Sequence, residues 1–148
     1  MSGIVCAIRG GPESSPTIEK SIALAQETKS KIYFLYVVNL DFLHGPVHSR
    51  VSTISEEMHQ MGEFILLTAQ EKAGGLGVEA EGVIRKGVVT DEIIELSKEV
   101  DANFVVLGRP RTDAEDNVFV MERLLELRQR IENEGEVKVV LAERLEDE

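Results

Sequence analysis

The sequence predicts an α/β fold, a three-layer sandwich in which helices cover both faces of a five-stranded parallel sheet. Five apolar runs of strand length alternate with segments of helical periodicity along the chain. Glycines, prolines and polar residues stand between these segments. Strands separated by helices pair in parallel through right-handed crossovers, and this predicts the layered arrangement.

The first third of the chain predicts a strand, a helix and a second strand. The apolar run Ile4–Ile8 stops at Gly10-Gly11-Pro12, which is typical of a short buried strand. Ser15-Pro16 has the pattern of an N-cap followed by proline at the first helical position, and the helix is predicted to end near Thr28. The β-branched and aromatic run Ile32–Val38 predicts the second strand.

The middle of the chain predicts a loop, a long helix and an edge strand. The loop runs from Asn39 to about Arg50, and Ser55 is then expected to cap a helix that ends near Ala73. The residues predicted to form the buried stripe of that helix are Met58, Met61, Ile65 and Ala69. The third strand, 78–84, carries glutamates at alternate positions, which indicates an edge with one solvated face.

The last third predicts two more helices and two more strands. Thr90-Asp91-Glu92 favours a helix start, because acidic side chains are stabilised at a helix N-terminus. The unbroken apolar run Phe104–Gly108 predicts a central strand. A fourth helix is expected from about Val118 to Glu134, and the last strand from Val137 to Ala142. The acidic tail, 143–148, is expected to fray.

Length and composition predict one domain over residues 1–148. The chain holds 27 acidic and 16 basic residues, so its net charge of −11 argues against nucleic-acid binding. It has neither an apolar run of membrane-spanning length nor a basic segment ahead of an apolar one, and we expect a cytoplasmic protein without membrane insertion. The single cysteine, Cys6, excludes an internal disulfide and is expected to lie in the core.

Three segments, 4–11, 84–94 and 101–109, resemble the universal stress protein family, and the resemblance extends over residues 3–142. It implies a Rossmann-like fold of the adenine nucleotide alpha hydrolase-like type, with strand order 3-2-1-4-5. It also implies homodimers, often formed by antiparallel pairing of the last strand. Some members bind ATP at the switch point between the first and fourth strands, and others bind none.

The chain departs from the nucleotide-binding members of that family. Their Gly-x2-Gly-x9-Gly-Ser/Thr pattern falls here on Gly108, Arg111, Met121 and Glu122, so only the first glycine is present. Glycine lets backbone amides approach a phosphate closely, whereas Met121 adds bulk and Glu122 adds a repelling carboxylate. The family's aspartate after the first strand, which contacts the nucleoside, is Arg9. We therefore expect no tight ATP binding.

The carboxyl ends of the strands hold the candidate ligand site, because ligands of such sheets bind where the strand order reverses. Basic residues there could replace the lost glycine amides and bind ATP, AMP or another small anion. Alternatively, Asp113, Glu115 and Asp116 neutralise them, and Arg85 and Lys86 lie too far toward the sheet edge. The candidate pocket residues are Ile8, Arg9, Gly10, Val38, Gly87, Gly108, Arg109 and Arg111.

Catalytic and metal chemistry have little support in the sequence. His44 and His48 share a loop with Asp41, but no motif fixes that loop, so we predict no metal site. Cys6 has no evident base or orienting group, so we predict no catalytic residue and no enzyme. A nucleotide hydrolase is the least favoured alternative.

The last strand predicts that the protein associates with another chain. Val137, Val139, Val140 and Leu141 form an apolar edge in the predicted strand order, and a free apolar edge pairs readily with another chain. This predicts a homodimer, whereas a monomer requires Lys138 and the acidic tail to blunt the edge. We expect a non-enzymatic stress-response or regulatory protein. The alternatives are a sensor of a nucleotide or small anion, and a module that docks to another protein such as a membrane transporter.

Overall fold

The computed structural model describes residues 3–8, 15–38, 48–108 and 117–142, and within these ranges it describes the side chains except at 48–52 and 117–124. The strands are β1 (Gly3–Ala7), β2 (Lys31–Val38), β3 (Ala80–Lys86), β4 (Ala102–Gly108) and β5 (Lys138–Ala142). The helices are α1 (Ser15–Thr28), α2 (His48–Gly75), α3 (Val89–Glu99) and α4 (Asn117–Gly135).

The strands form one parallel sheet in the order β3-β2-β1-β4-β5. Both the fold class and the strand order predicted from the sequence are confirmed. Val5 in the middle of β1 pairs with Tyr33 on one side and with Val105 on the other. This central place explains why β1 and β4 are continuous apolar runs, since both faces of these strands are covered by helices.

Two hydrophobic cores lie on opposite faces of the sheet. Ile4 and Cys6 of β1 pack into the core beneath α1 and α2, whereas Val5 packs into the core beneath α3 and α4. Successive residues of one strand point to opposite faces, so a single apolar run supplies both cores. Each core contains a fully buried isoleucine. It is Ile32 of β2 in the first core and Ile93 of α3 in the second.

Helix α2 differs from its prediction at its start and on its buried face. It begins at His48, and Ser55 is buried inside the helix instead of capping it. Met61 is 54% exposed, so its predicted core role is wrong. Among residues 53–75 the buried ones are Ser55, Gly62, Leu66, Ala69 and Ala73. The predicted burial of Ala69 is confirmed, and Met58 and Ile65 pack half-buried against the same core. Beside Met61 the small residue Gly62 faces the sheet, because it lets the helix approach Tyr36 closely.

The β3–α3 connection also differs in detail. Strand β3 ends at Lys86, two residues later than predicted, so Arg85 and Lys86 belong to the strand. Helix α3 begins at Val89, and its N-cap residue Val88 makes no side-chain capping bond, so Thr90 does not open the helix. The expected acidic residues do occupy its first turn. The edge position of β3 is confirmed.

Candidate functional site

Four of the predicted pocket residues lie at the carboxyl end of the sheet. Ile8 follows β1, Val38 ends β2, Gly108 ends β4, and Gly87 follows β3. The N–H of Ile8 donates to the carbonyl of Leu35 at 2.8 Å, and the N–H of Gly87 donates to the carbonyl of Val38 at 3.1 Å. These bonds continue the sheet beyond the strand ends. Of the four residues, Ile8 and Gly108 lie at the carboxyl ends of the paired strands β1 and β4, where the strand order reverses.

The other four predicted pocket residues, Arg9, Gly10, Arg109 and Arg111, lie outside the described residues. The same holds for the acidic residues that were expected to neutralise them, Asp113, Glu115 and Asp116, and for His44 and Asp41 of the histidine loop. His48 lies in the first turn of α2.

Met121 and Glu122, which occupy the positions of the family's third glycine and hydroxyl, lie within α4. That helix begins at Asn117, so both residues fall after its first four positions. Only the first four N–H groups of a helix lack an intrahelical acceptor and are available to bind an anion. The backbone amides at Met121 and Glu122 are therefore committed to the helix.

Gly108, the one motif glycine that the chain retains, is required by packing. A Cβ atom added at this position would lie 2.5 Å from Oγ1 of Thr17, a buried residue of the first turn of α1. Real Cβ atoms do not come so close to another heavy atom, so a larger residue at position 108 would require the buried Thr17 side chain or α1 to shift. The presence of Gly108 is thus explained without a ligand.

Arg85 is held away from the switch point by carboxylates of α3. Its Nη1 and Nη2 donate to the two carboxylate oxygens of Glu99 at 2.9 and 2.7 Å. Carboxylate oxygens of Glu92 and Glu95 lie 3.8 and 3.6 Å from Nη1. The hydrogen bond with Glu99 raises the pKa of Arg85 and lowers the pKa of Glu99. Arg85 therefore links edge strand β3 to α3 by an ion pair. The carboxylates that neutralise it belong to α3, whereas the sequence predicted neutralisation by Asp113, Glu115 and Asp116.

The predicted dimer edge, β5, pairs with β4. Val137 and Val139 are buried, and Val140 and Leu141 are half-buried. The N–H of Val139 donates to Oε2 of Glu132 in α4 at 3.0 Å, and Nε of Arg128 lies 3.6 Å from the same oxygen. Parallel strands direct alternate N–H groups to opposite sides, so Glu132 covers an amide on the free side of β5. Sequence reasoning missed this contact, because a charged residue on a solvated helix face gives no signal for it.

Burial disfavours ionisation of the only thiol in the sequence. Cys6 is fully buried, and desolvation raises its pKa to about 12. Among the described side chains, those of residues 3–8, 15–38, 53–108 and 125–142, no three from histidine, cysteine, aspartate or glutamate come together as metal ligands. No helix in those ranges is long and apolar enough to cross a lipid bilayer.

Sequence comparison supplies the family. A family model described as the universal stress protein family matches residues 1–126. The chain is 27% identical over 106 residues to a universal stress protein of Methanocaldococcus jannaschii, a match that covers 71% of this chain and 62% of the relative. It is 29% identical over 113 residues to the universal stress protein YxiE of Bacillus subtilis, covering 71% of this chain and 76% of the relative.

Structure comparison supports the fold. The universal stress protein UspA from Lactobacillus plantarum superposes with a TM-score of 0.77 at 16% identity, over 95% of this chain and 97% of that one. A universal stress protein from Archaeoglobus fulgidus in complex with dAMP gives a TM-score of 0.65 at 14% identity, over 96% and 97% of the two chains. A universal stress protein family protein from Arabidopsis thaliana with AMP bound gives a TM-score of 0.62 at 16% identity, over 99% of this chain and 94% of that one.

Proposed function

The chain belongs to the universal stress protein family, and on that basis we propose that it is a non-enzymatic stress-response or regulatory protein of the cytoplasm, homodimeric and without tight ATP binding. The position of Met121 and Glu122 in α4 carries this proposal. A family member that binds phosphate needs free backbone N–H groups and small residues at these two positions. This chain instead offers a helix interior, a bulky side chain and a negative charge.

The charges of the described carboxyl-end residues favour the same conclusion. Arg85 binds Glu99 and has two further carboxylates within 4 Å, so it has little attraction left for a phosphate. Gly108 is explained by its contact with Thr17. The non-enzymatic part of the proposal has support from Cys6, since a buried thiol with a raised pKa supplies no nucleophile.

The test is to ask whether a nucleotide accompanies the purified protein. The chain has two tyrosines and no tryptophan, so a stoichiometric nucleotide would dominate its absorption near 260 nm. We expect a spectrum without that band, no nucleotide on ion-exchange chromatography of an acid extract, and no heat on titration with ATP up to about 1 mM. Release of a stoichiometric nucleotide would refute the proposal.

A gain-of-binding variant tests the stated reason. Restoring the family pattern with Arg111→Gly, Met121→Gly and Glu122→Ser is expected to create measurable ATP binding if these three residues are what prevents it. The matched control is Glu126→Ser, which removes an exposed carboxylate of the same helix outside the motif. Binding in the control, or in the unchanged protein, would show that the three positions do not decide affinity.

The second candidate is a sensor that binds a nucleotide or another small anion at the switch point. Two observations support it. Neighbours of the same fold were solved with AMP and dAMP, and Ile8, Val38, Gly87 and Gly108 lie at the carboxyl end of this sheet, where ligands of such sheets bind. AMP titration separates the candidates, because a monophosphate needs fewer phosphate contacts than ATP. Saturable AMP binding that is lost on substitution of Arg9 or Arg109 would favour the sensor.

The homodimer is proposed to form through β5, the edge of the described sheet next to β4. Val140 and Leu141 are half-buried against the two cores on opposite faces of this strand, and the part of each that stays exposed would pack against a twofold-related copy. Sedimentation equilibrium is expected to give a dimer mass that Val140→Lys reduces to the monomer mass. A matched Lys138→Arg change, on the exposed first residue of the strand, should leave the dimer intact. A monomer mass for the unchanged protein would contradict this part of the proposal.

A further inference from the structure

The outer face of α2 exposes three apolar side chains near its middle. Met61, Phe64 and Leu67 are 54%, 71% and 59% exposed, and they are spaced three residues apart. Residues three or four apart lie on one side of a helix, and six residues at 1.5 Å each extend about 9 Å along its axis. These three side chains form a short surface that we name the α2 stripe.

The α2 stripe belongs to neither hydrophobic core. On the other side of the same helix, Leu66, Ala69 and Ala73 are buried against the sheet and belong to the first core. The fold therefore already has a complete apolar face on α2. Single exposed apolar residues are common, but three neighbours with Phe64 so exposed indicate a surface that binds a partner.

Carboxylates surround the α2 stripe. Glu57 lies one turn before Met61, Glu71 lies one turn after Leu67, and Glu63 lies beside Phe64, and all three glutamates are exposed. His59 Nε2 lies 3.9 Å from Glu63. Lys72, near the end of the helix, lies 3.0 Å from Glu19 of α1 and is therefore drawn away from this face. The surface is apolar at its centre and negative at its rim.

We propose that the α2 stripe docks a cationic amphipathic helix of another protein. Leucine-like side chains of that helix, spaced at i, i+3 and i+7, would contact Met61, Phe64 and Leu67. Its lysines or arginines would approach Glu57, Glu63 and Glu71. Three side chains are a small contact, so the interaction is transient and not a permanent assembly.

The charges select this occupant over others. A second copy docked through its own α2 stripe would bring the same glutamates against each other. An anionic membrane surface would be repelled by the same rim. A basic helix is attracted by the rim and matches the apolar centre.

The test uses a fluorescein-labelled synthetic peptide of about 18 residues, or five helical turns, with a leucine stripe and lysines on its polar face. Fluorescence anisotropy is expected to show binding at least about tenfold tighter than that of a peptide of the same composition with the stripe scrambled. Phe64→Gln is expected to weaken binding by about tenfold, and Glu57→Lys with Glu71→Lys to weaken it further. Circular dichroism checks that the variants are folded.

The matched control is Leu125→Gln, because Leu125 is 51% exposed but lies on α4. Its binding is expected to equal that of the unchanged protein. The proposal fails if the scrambled peptide binds equally well, or if Leu125→Gln weakens binding as much as Phe64→Gln does. It also fails if Phe64→Gln lowers the mass of the protein in sedimentation, since a second copy would then be the occupant.

Discussion

The thiol of Cys6 lies in an environment very different from water. It is fully buried in β1, and desolvation raises its pKa to about 12 from an ordinary value of 9.0. We predict that Ellman's reagent does not label the native protein at neutral pH and labels one thiol after unfolding in urea. Rapid labelling of the native protein would contradict this burial.

The same pKa difference predicts how stability changes in alkali. The folded state keeps the Cys6 proton up to about pH 12, whereas the unfolded chain loses it near pH 9. The unfolded state is therefore favoured as the pH rises through this window, and the free energy of unfolding decreases. Cys6→Ala is expected to remove that part of the alkaline decrease, which urea titrations at several pH values would measure.

Arg85 and Glu99 predict a dependence on pH in acid. Hydrogen bonding by Arg85 lowers the pKa of Glu99 below its ordinary value of 4.5. The stabilisation is present above that value and is lost as the pH falls through the lower folded pKa. Glu99→Gln is expected to lower the melting temperature at neutral pH and to flatten its decrease in acid. Glu71→Gln, an exposed carboxylate of α2, is the control and should change neither. Equal acid slopes for Glu99→Gln and the unchanged protein would show that the pair has no effect.

At the scale of elements, the approach of α2 to β2 depends on one glycine. A Cβ atom at Gly62 would overlap the ring of Tyr36, which is buried on β2. Gly62→Ala is expected to destabilise the protein by about 1–3 kcal/mol, because the ring or the helix must shift. Urea unfolding measures this difference.

Gly74 supplies the matched control in the same helix. A Cβ atom there would have no neighbour within 4 Å. Gly74→Ala is expected to leave stability unchanged or to raise it by up to about 1 kcal/mol, since alanine favours the helix. If both variants lose the same stability, the loss cannot be assigned to the contact with Tyr36, and helix propensity cannot explain it either, since alanine favours the helix over glycine.

The contact between α4 and β5 predicts a further effect on association. Glu132 occupies the N–H of Val139, and this bond must be given up before a second strand can pair at that position. In the proposed homodimer the bond is given up in both copies, so Glu132→Ala is expected to tighten association by roughly 30-fold, the equivalent of two hydrogen bonds of about 1 kcal/mol each. Glu126→Ala is the control on the same helix. Weaker association for Glu132→Ala would mean that the carboxylate supports the dimer instead of competing with it.

At the scale of the whole molecule, net charge opposes any association between copies. Two chains of charge −11 repel each other, and salt screens that repulsion. We predict that the proposed homodimer tightens as ionic strength rises from about 0.01 M to about 0.1 M, where the screening length falls from roughly 30 Å to 10 Å. Binding of the cationic peptide to the α2 stripe is expected to weaken over the same range. Sedimentation equilibrium and anisotropy would measure the two effects, and parallel changes would contradict the assigned charges.

The sequence by itself determined the fold class, the strand order through the resemblance, and the inward position of Cys6. A continuous apolar run indicates a strand buried on both faces, and apolar residues at helical spacing indicate a helix with one covered face. Both patterns can be read from neighbouring residues in the sequence. The alternate glutamates of β3 likewise identified an edge strand. The departures at Arg111, Met121 and Glu122 can also be read without coordinates.

Only the tertiary structure decided which side chains meet. It turned Met61 outward and Gly62 inward, because closeness to Tyr36 selects a small residue where hydrophobicity alone selects a large one. It brought Arg85 to bind Glu99 and the Val139 N–H to donate to Glu132. These contacts join different elements and leave no pattern along the chain. It also showed that Gly108 makes room for Thr17. Periodicity records whether a residue is covered, whereas the identity of the covering atoms depends on how the elements pack together.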